Sequence, residues 1–333
     1  MSKDLRLEQL TTWIHQDAPN ATIEVASADA SFRRYFRVSN YDDTGKTIIA
    51  MDAPPEKENC APFIDITQRL RNAGVHAPEI IKQNLEQGFL LLEDFGSRPF
   101  LDRLCSPTAE KLYGDAIKAL LKIQTADTQG LPEYDEALLE QEMRLMPKWF
   151  LTKHLGIVPN IEQQIIIDRV LAIITASVYQ QPQVFVHRDY HSRNLMILDD
   201  KNPGVIDYQD AVLGPITYDL VSLLKDCYIR WPHEKVSKWA LVDYKKQAEQ
   251  AGLLSNIKDS TFIQWFDYMG LQRHIKVLGI FARLNHRDGK EHYLGDLPLT
   301  LHYVMEVANK YPMTRPLVTL FNDWKIQEKI GKP

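Results

Sequence analysis

Residues 184–210 read VFVHRDYHSRNLMILDDKNPGVIDYQD, and the fold follows from how this stretch is read. An apolar run, Val184 to Val186, leads into His187-Arg188-Asp189. Asn194 follows five residues after Asp189, and Asp207 follows thirteen after Asn194, beside a second apolar run. Short apolar runs bounded by turn residues read as buried strands. The three polar groups therefore fall at strand ends, where turns can gather them. An amide oxygen and a carboxylate are hard ligands that suit Mg2+. A further carboxylate can orient or deprotonate a hydroxyl. The plain alternative is a polar loop whose carboxylates only cap turns; the joint spacing favours chemistry.

Outward from that stretch, the first ~95 residues read as a small sheet with one inserted helix. Residues 5–16 form a helix with Leu7, Leu10, Trp13 and Ile14 on one side. Residues 21–53 read as strands, TIEVAS, SFRRYFRVS and KTIIAMDA, parted by the turn-rich pieces ADA and NYDDTGK. Residues 57–73 are helical, stopped by Gly74, and 79–94 form a hairpin. Beyond Gly96 the segments 107–125, 134–153, 160–180, 216–229, 233–250, 258–285 and 297–310 read as helices. Two domains follow, 1–95 and 96–333: an α+β architecture with a β-rich N-lobe, a larger helical C-lobe and a ligand-sized cleft expected between them.

HRDYHSRN resembles the catalytic-loop pattern H-x-D-x-x-x-x-N of protein kinases and aminoglycoside phosphotransferases, and IDYQD resembles the metal-binding segment that follows it. The second histidine of DYHSRN and the continuation GPITYDLVSLL are closer to the small-molecule kinases of the aminoglycoside phosphotransferase family. DASFRRYFRV, MDAPPE and LQRHIKVLGIFARL look like its bacterial branch of anomeric N-acetylmuramate/N-acetylglucosamine kinases, which serves cell-wall sugar recycling. The resemblance implies a protein-kinase-like bilobal fold and an ATP- and Mg2+-dependent transfer of phosphate to a sugar hydroxyl. It makes Asp189 the catalytic base or orienting carboxylate, Asn194 and Asp207 the magnesium ligands, and Asp219 a support for the catalytic loop. Aminoglycoside, choline or another small alcohol as acceptor, and a nucleotide-binding pseudokinase, stand as alternatives.

The nucleotide side departs from the pattern. No GxGxxG occurs, so the small-residue turn containing Ser31 is expected to cover the phosphates. Met51 and Asp52 stand where kinases place a strand lysine. Arg33 or Arg34 is expected to supply the charge, and since neighbouring strand residues face opposite ways, only one of them can. Asp94-Phe95-Gly96 spells DFG but precedes the HRD segment, so Glu93 and Asp94 are read as a linker whose backbone meets the nucleotide base. For the acceptor the candidates are Gln209, Asp210, Arg230, Arg273 and His274, with Asp226 and Trp231 beside them. Arg273, His274 and Lys276 are read as an exposed face, an anion site for a lactyl carboxylate, or neither.

Composition bounds the rest. With 44% hydrophobic and 25% charged residues, 333 residues can bury a large core unaided. A net charge of -5 argues against a nucleic-acid or anionic-membrane partner. Three scattered cysteines without a CxxC pair argue against a zinc site and fit a reducing compartment. The polar N-terminus lacks a leader pattern. A cytoplasmic enzyme with small-molecule partners is expected, its oligomeric state left open.

Overall fold

The computed structural model describes residues 4–28 and 32–331. In chain order they form α1 (Leu5–His15), β1 (Thr22–Ala28), β2 (Arg34–Ser39), β3 (Ile48–Asp52), α2 (Cys60–Asn72), β4 (Ile80–Asn84) and β5 (Phe89–Glu93). Next come α3 (Ser106–Gln124), α4 (Glu136–Met143), α5 (Ile161–Tyr179), β6 (Gln183–Val186), β7 (Leu195–Met196), β8 (Gly204–Val205) and β9 (Val212–Pro215). The chain closes with α6 (Tyr218–Leu224), α7 (His233–Lys238), α8 (Lys246–Gln250), α9 (Asp259–Asp288), α10 (Leu297–Lys310), α11 (Arg315–Asp323) and α12 (Ile326–Ile330).

Two compact units divide these elements: Met1–Pro99 with Leu195–Asp210, and Phe100–Asn194 with Ala211–Pro333. In the first, five antiparallel strands run in the order β1-β2-β3-β5-β4. Asp4 caps α1 by accepting the Leu7 amide at 3.0 Å. The helix then lays Leu10, Trp13 and Ile14 on one sheet face, against Phe36, Val38, Ile48, Ala50, Phe89 and Leu91. That alternation fixes which way every strand residue points, because the side-chain period of a strand is two.

The first unit reaches Pro99 rather than stopping near Gly96, and it includes residues 195–210, which the sequence reading assigns to the helical part. Backbone pairing accounts for both. The Ile197 amide donates to the Arg98 carbonyl at 2.8 Å, Pro99 bridges Met196, and the Val205 amide donates to His76 at 2.9 Å. Gly204 lies flat under the Phe95 ring; a Cβ there would come within 2.5 Å of it.

The second unit is built around the 30-residue α9, whose residues from Phe266 to Gly279 are all buried. Such all-round burial marks a central helix rather than a surface one. Beside it β6 and β9 pair antiparallel, with Val186 opposite Val212. The expected helix 134–153 is divided: α4 ends at Met143 and a wider π-type turn follows over Met146–His154. The expected helix 216–229 ends early, at Leu224. Helices α11 and α12 were not anticipated; Pro316 sits in the first turn of α11, where its missing N–H costs nothing. Among the described residues no helix is long and apolar enough to cross a membrane.

Helix α9 approaches the 145–146 backbone so closely at Gly279 that a Cβ would lie 2.3 Å from the Leu145 carbonyl carbon. Gly279→Ala is therefore expected to destabilise the fold by about 1–3 kcal/mol through overpacking. Each kcal/mol lowers Tm by roughly 1–2 °C in a chain of 333 residues. Thermal denaturation followed by circular dichroism checks this, and an unchanged Tm contradicts the close approach.

Candidate active site

The loop that leaves β6 is fixed from below by one buried carboxylate. Asp219, in the first turn of α6, accepts the His187 amide at 2.7 Å and the Arg188 amide at 3.1 Å. Arg188 adopts a left-handed backbone, φ 75°. That conformation costs a non-glycine residue roughly 1–3 kcal/mol and persists only where surroundings over-determine it. Here its amide is held by Asp219, its carbonyl accepts from Arg273 at 3.3 Å, and its guanidinium meets Glu142 at 2.7 Å. Burial pushes the Asp219 carboxyl up to about 7, while the two amide donations and the Arg273 guanidinium pull the other way.

The same loop continues with every turn anchored. The Asp189 amide donates to His187 Nδ1 at 3.2 Å, and the Tyr190 hydroxyl donates to the Ala116 carbonyl at 2.8 Å. Ser192 gives both its amide (3.0 Å) and its hydroxyl to Asp226, itself buried. The Asn194 side-chain NH2 donates to the Asp189 carbonyl at 3.0 Å, which fixes the orientation of its amide. Amid this anchoring, none of the described hydrogen bonds engages the Asp189 carboxylate. Burial works against its ionisation, but His191 and the cations Arg273 and Lys276 outweigh burial and hold the carboxyl below its usual range. Burial also lowers His191, so at neutral pH the fixed charges of Arg273 and Lys276 carry that effect.

Three expected acceptor residues lie elsewhere. Arg273 is 5% exposed and His274 fully buried, both inside α9, so neither is a substrate contact. Arg273 serves the catalytic loop from behind. His274 Nε2 donates to the Lys225 carbonyl at 2.9 Å and its ring stacks on Tyr303, centroids 4.7 Å apart. Burial depresses its pKa to about 3, so it is neutral and no anion site. Lys276 is likewise spent, on Glu142 at 2.9 Å and the Tyr218 hydroxyl at 3.0 Å. Gln209 donates its amide to Asp207 at 3.0 Å rather than facing an acceptor, and Asp210 is exposed. Arg230 is also exposed and lines a cavity of about 380 Å³ with Cys227, Tyr228, Gly295, Asp296, Pro298 and Leu299. His191 packs edge-on to Tyr228, centroids 5.6 Å apart, and the Arg193 guanidinium lies 3.6 Å over the same ring. The cavity thus borders the catalytic loop.

In the first unit the ambiguity between Arg33 and Arg34 resolves by parity. Arg34 shares the α1 face with Phe36 and Val38. Its guanidinium is bound to the fully buried Asp52 at 2.6 Å and to Asp4, and Arg6 of α1 also binds Asp52. Arg34 is therefore anchored within this unit, to the buried Asp52 and to Asp4. Arg33, one residue before, has the opposite parity and pairs with Glu58 at 3.0 Å, whose other oxygen accepts the Phe32 amide. Glu58 lies just ahead of α2, with Asn59 as its cap, and its partner is this arginine. Ser31 lies outside the described residues. The Asp94 carboxylate is consumed by Arg37 (2.6 Å), Thr47 (2.6 Å) and the Gly96 amide (2.7 Å), so the DFG spelling is structural. Glu93 donates its amide to Glu79 at 2.9 Å and binds His76 at 3.1 Å.

The amide oxygen of Asn194 and the carboxylate of Asp207 are each hard donors of the kind magnesium takes. Leu195, next after Asn194, pairs with Val205, and Asp207 follows two residues later with a left-handed φ of 64°.

Comparison with known proteins places this geometry. The sequence profile described as "Phosphotransferase enzyme family" matches residues 22–249. A Pseudomonas putida protein named N-acetylmuramate/N-acetylglucosamine kinase is 45% identical over 322 residues, covering 93% of this chain and 94% of the relative. A choline kinase from Cryptosporidium parvum superposes with TM-score 0.64 at 12% identity, over 94% of this chain and 99% of that one. An ADP-bound aminoglycoside phosphotransferase, APH(2'')-Ib, superposes with TM-score 0.61 at 13% identity, over 92% and 99%. The structural likenesses show a shared kinase-like fold, a small antiparallel sheet unit and a larger helical one, as the sequence reading anticipates.

His274 gives the site a pH signature. An unfolded histidine takes a proton near pH 6.5, whereas His274 resists protonation until about pH 3. The unfolded chain binds more protons between those limits, so stability falls as pH drops through that window. His274→Gln is expected to flatten this limb by up to about 1.4 kcal/mol per pH unit. Urea midpoints taken from neutral to acid pH test it; identical limbs in both proteins contradict it.

Proposed function

Because this chain belongs to the phosphotransferase enzyme family, we propose that it transfers a phosphoryl group from ATP to the anomeric hydroxyl of N-acetylmuramate and N-acetylglucosamine. The observation that carries the reading is the Asp189 carboxylate, ionised, half-buried and bound by none of the described hydrogen-bond donors, on a loop held at every other residue. The acceptor sugars come from the relative, which is similar over nearly its whole length. A cytoplasmic setting, as the substrate ATP requires, goes with this proposal.

Phosphoryl transfer asks a protein chiefly for alignment and charge. Asp189 accepts the hydrogen bond of the acceptor hydroxyl and takes its proton as the oxygen attacks. An anomeric hydroxyl is more acidic than an ordinary alcohol, so alignment matters more than base strength, and a carboxyl kept below its usual range is sufficient. Magnesium, when bound, neutralises charge on the nucleotide phosphates. Asn194 and Asp207 are its proposed protein ligands. Arg33 is proposed to supply the phosphate-facing cation that Met51 cannot, held in place by Glu58 as a strand lysine is held by its helix glutamate in kinases. For the base, the Glu93 amide is already donated, which leaves the proposal on the Asp94 backbone.

Asp189→Asn is expected to lower kcat by about 10²–10⁴-fold with an unchanged melting curve, measured as sugar-dependent ADP release; near-full turnover sinks the assignment. Asp207→Ala should abolish the magnesium dependence of nucleotide binding in calorimetry, and a retained dependence contradicts its ligand role. The two arginines should separate cleanly. Arg33→Met is expected to raise the KM for ATP by about tenfold or more at little cost in Tm, whereas Arg34→Met leaves the buried Asp52 with Arg6 alone and lowers Tm. The reverse pattern refutes the parity argument.

A further inference from the structure

The two proposed acceptors differ by one group: N-acetylmuramate carries a lactyl ether on O3 that ends in a carboxylate, and N-acetylglucosamine carries a hydroxyl there. We propose that the cavity between residues 227–230 and 295–299 takes the acceptor sugar, and that Arg230 is the specificity residue that reads the lactyl carboxylate. This rests on the acceptor reading above and adds a residue to it.

Three features of the cavity fit a sugar bearing one carboxylate. Its volume, about 380 Å³, suits a single modified hexose rather than a polymer. It abuts the catalytic loop through Tyr228, against which His191 packs and Arg193 stacks. Its lining combines Tyr228 with the apolar Pro298 and Leu299 and one carboxylate, Asp296, able to accept sugar hydroxyls. Burial raises the Asp296 carboxyl.

Arg230 is the one cationic side chain lining the cavity. Its guanidinium is half exposed, and its ion-pair partner Glu306 stands 3.9 Å away, the outer limit of a contact, with His302 closer to that glutamate at 3.1 Å. A loosely held guanidinium at a cavity mouth can turn its planar fork of donors to an incoming carboxylate. Neither Arg273 nor Lys276 lines the cavity: both are buried within α9, Arg273 against the Arg188 carbonyl and Lys276 on Glu142. A polycationic acceptor would place positive charge against Arg230, which disfavours it.

Steady-state kinetics with both sugars test the assignment. Arg230→Gln is expected to raise the KM for N-acetylmuramate by about tenfold to hundredfold at little change in kcat, and to leave N-acetylglucosamine kinetics within about twofold. Arg230→Lys should retain part of the preference, since a point charge replaces the fork. Equal losses on both sugars, or none on N-acetylmuramate, overturn the role of Arg230 while leaving the acceptor reading intact. Wild-type turnover of neither sugar overturns the acceptor reading and this assignment with it.

Discussion

A carboxylate with no solvent contact, Asp219, accepts two consecutive backbone amides, and the reactive loop is built on that acceptance. Without it the His187 and Arg188 amides would be buried donors lacking a partner, at roughly 1–3 kcal/mol each. The left-handed turn at Arg188 depends on it, because a non-glycine residue keeps such a backbone only when held from several sides. Asp189 follows that turn with its carboxylate engaged by none of the described hydrogen bonds. Asp226, at the far end of the same helical region, repeats the device at Ser192. One carboxylate in the first turn of α6 and one just past its end thus act as backbone clamps, and Asp189 lies between the segments they hold.

Charge burial follows from this arrangement. Asp189 and Glu142 hold negative charge inside the helical unit, and Arg188, Arg273 and Lys276 answer it. Buried pairs of this kind contribute little net stability, since desolvation offsets attraction, but removing one partner is costly. Their value lies in position. Lys276 reaches Glu142 and the Tyr218 hydroxyl, Arg188 reaches Glu142 from the loop, and the whole set locks α4, α6 and α9 around the reactive segment.

How much of this was legible follows from how local each feature is. The 184–210 stretch could be read because its residues are close in sequence and their spacing alone encodes strand, turn and strand. The decoy at Asp94-Phe95-Gly96 could be dismissed by its order in the chain. Choosing between Arg33 and Arg34 needed the sheet face covered by α1, which depends on register with β3 and β5. Arg273 and His274 misled because α9 is buried all round: polar residues at helical spacing read as an exposed face, whereas a central helix carries them inward and satisfies them there. The sugar-sized cavity joins residues 227–230 to 295–299, some seventy positions apart, and no periodicity announces such a meeting. Arg230 was nameable from sequence; the neighbours that give it meaning were not.

The central claim, that a clamped loop presents Asp189 to a sugar hydroxyl, is tested most directly by following the phosphorus itself. Phosphorus NMR of wild-type reactions with ATP and each N-acetyl sugar, beside the same reactions with Asp189→Asn, reads both the acceptor atom and the residue in one experiment. The account predicts a sugar 1-phosphate signal that couples to the anomeric proton with wild-type protein and is nearly absent with the variant. A phosphate signal on any other oxygen, or an undiminished signal from Asp189→Asn, contradicts it.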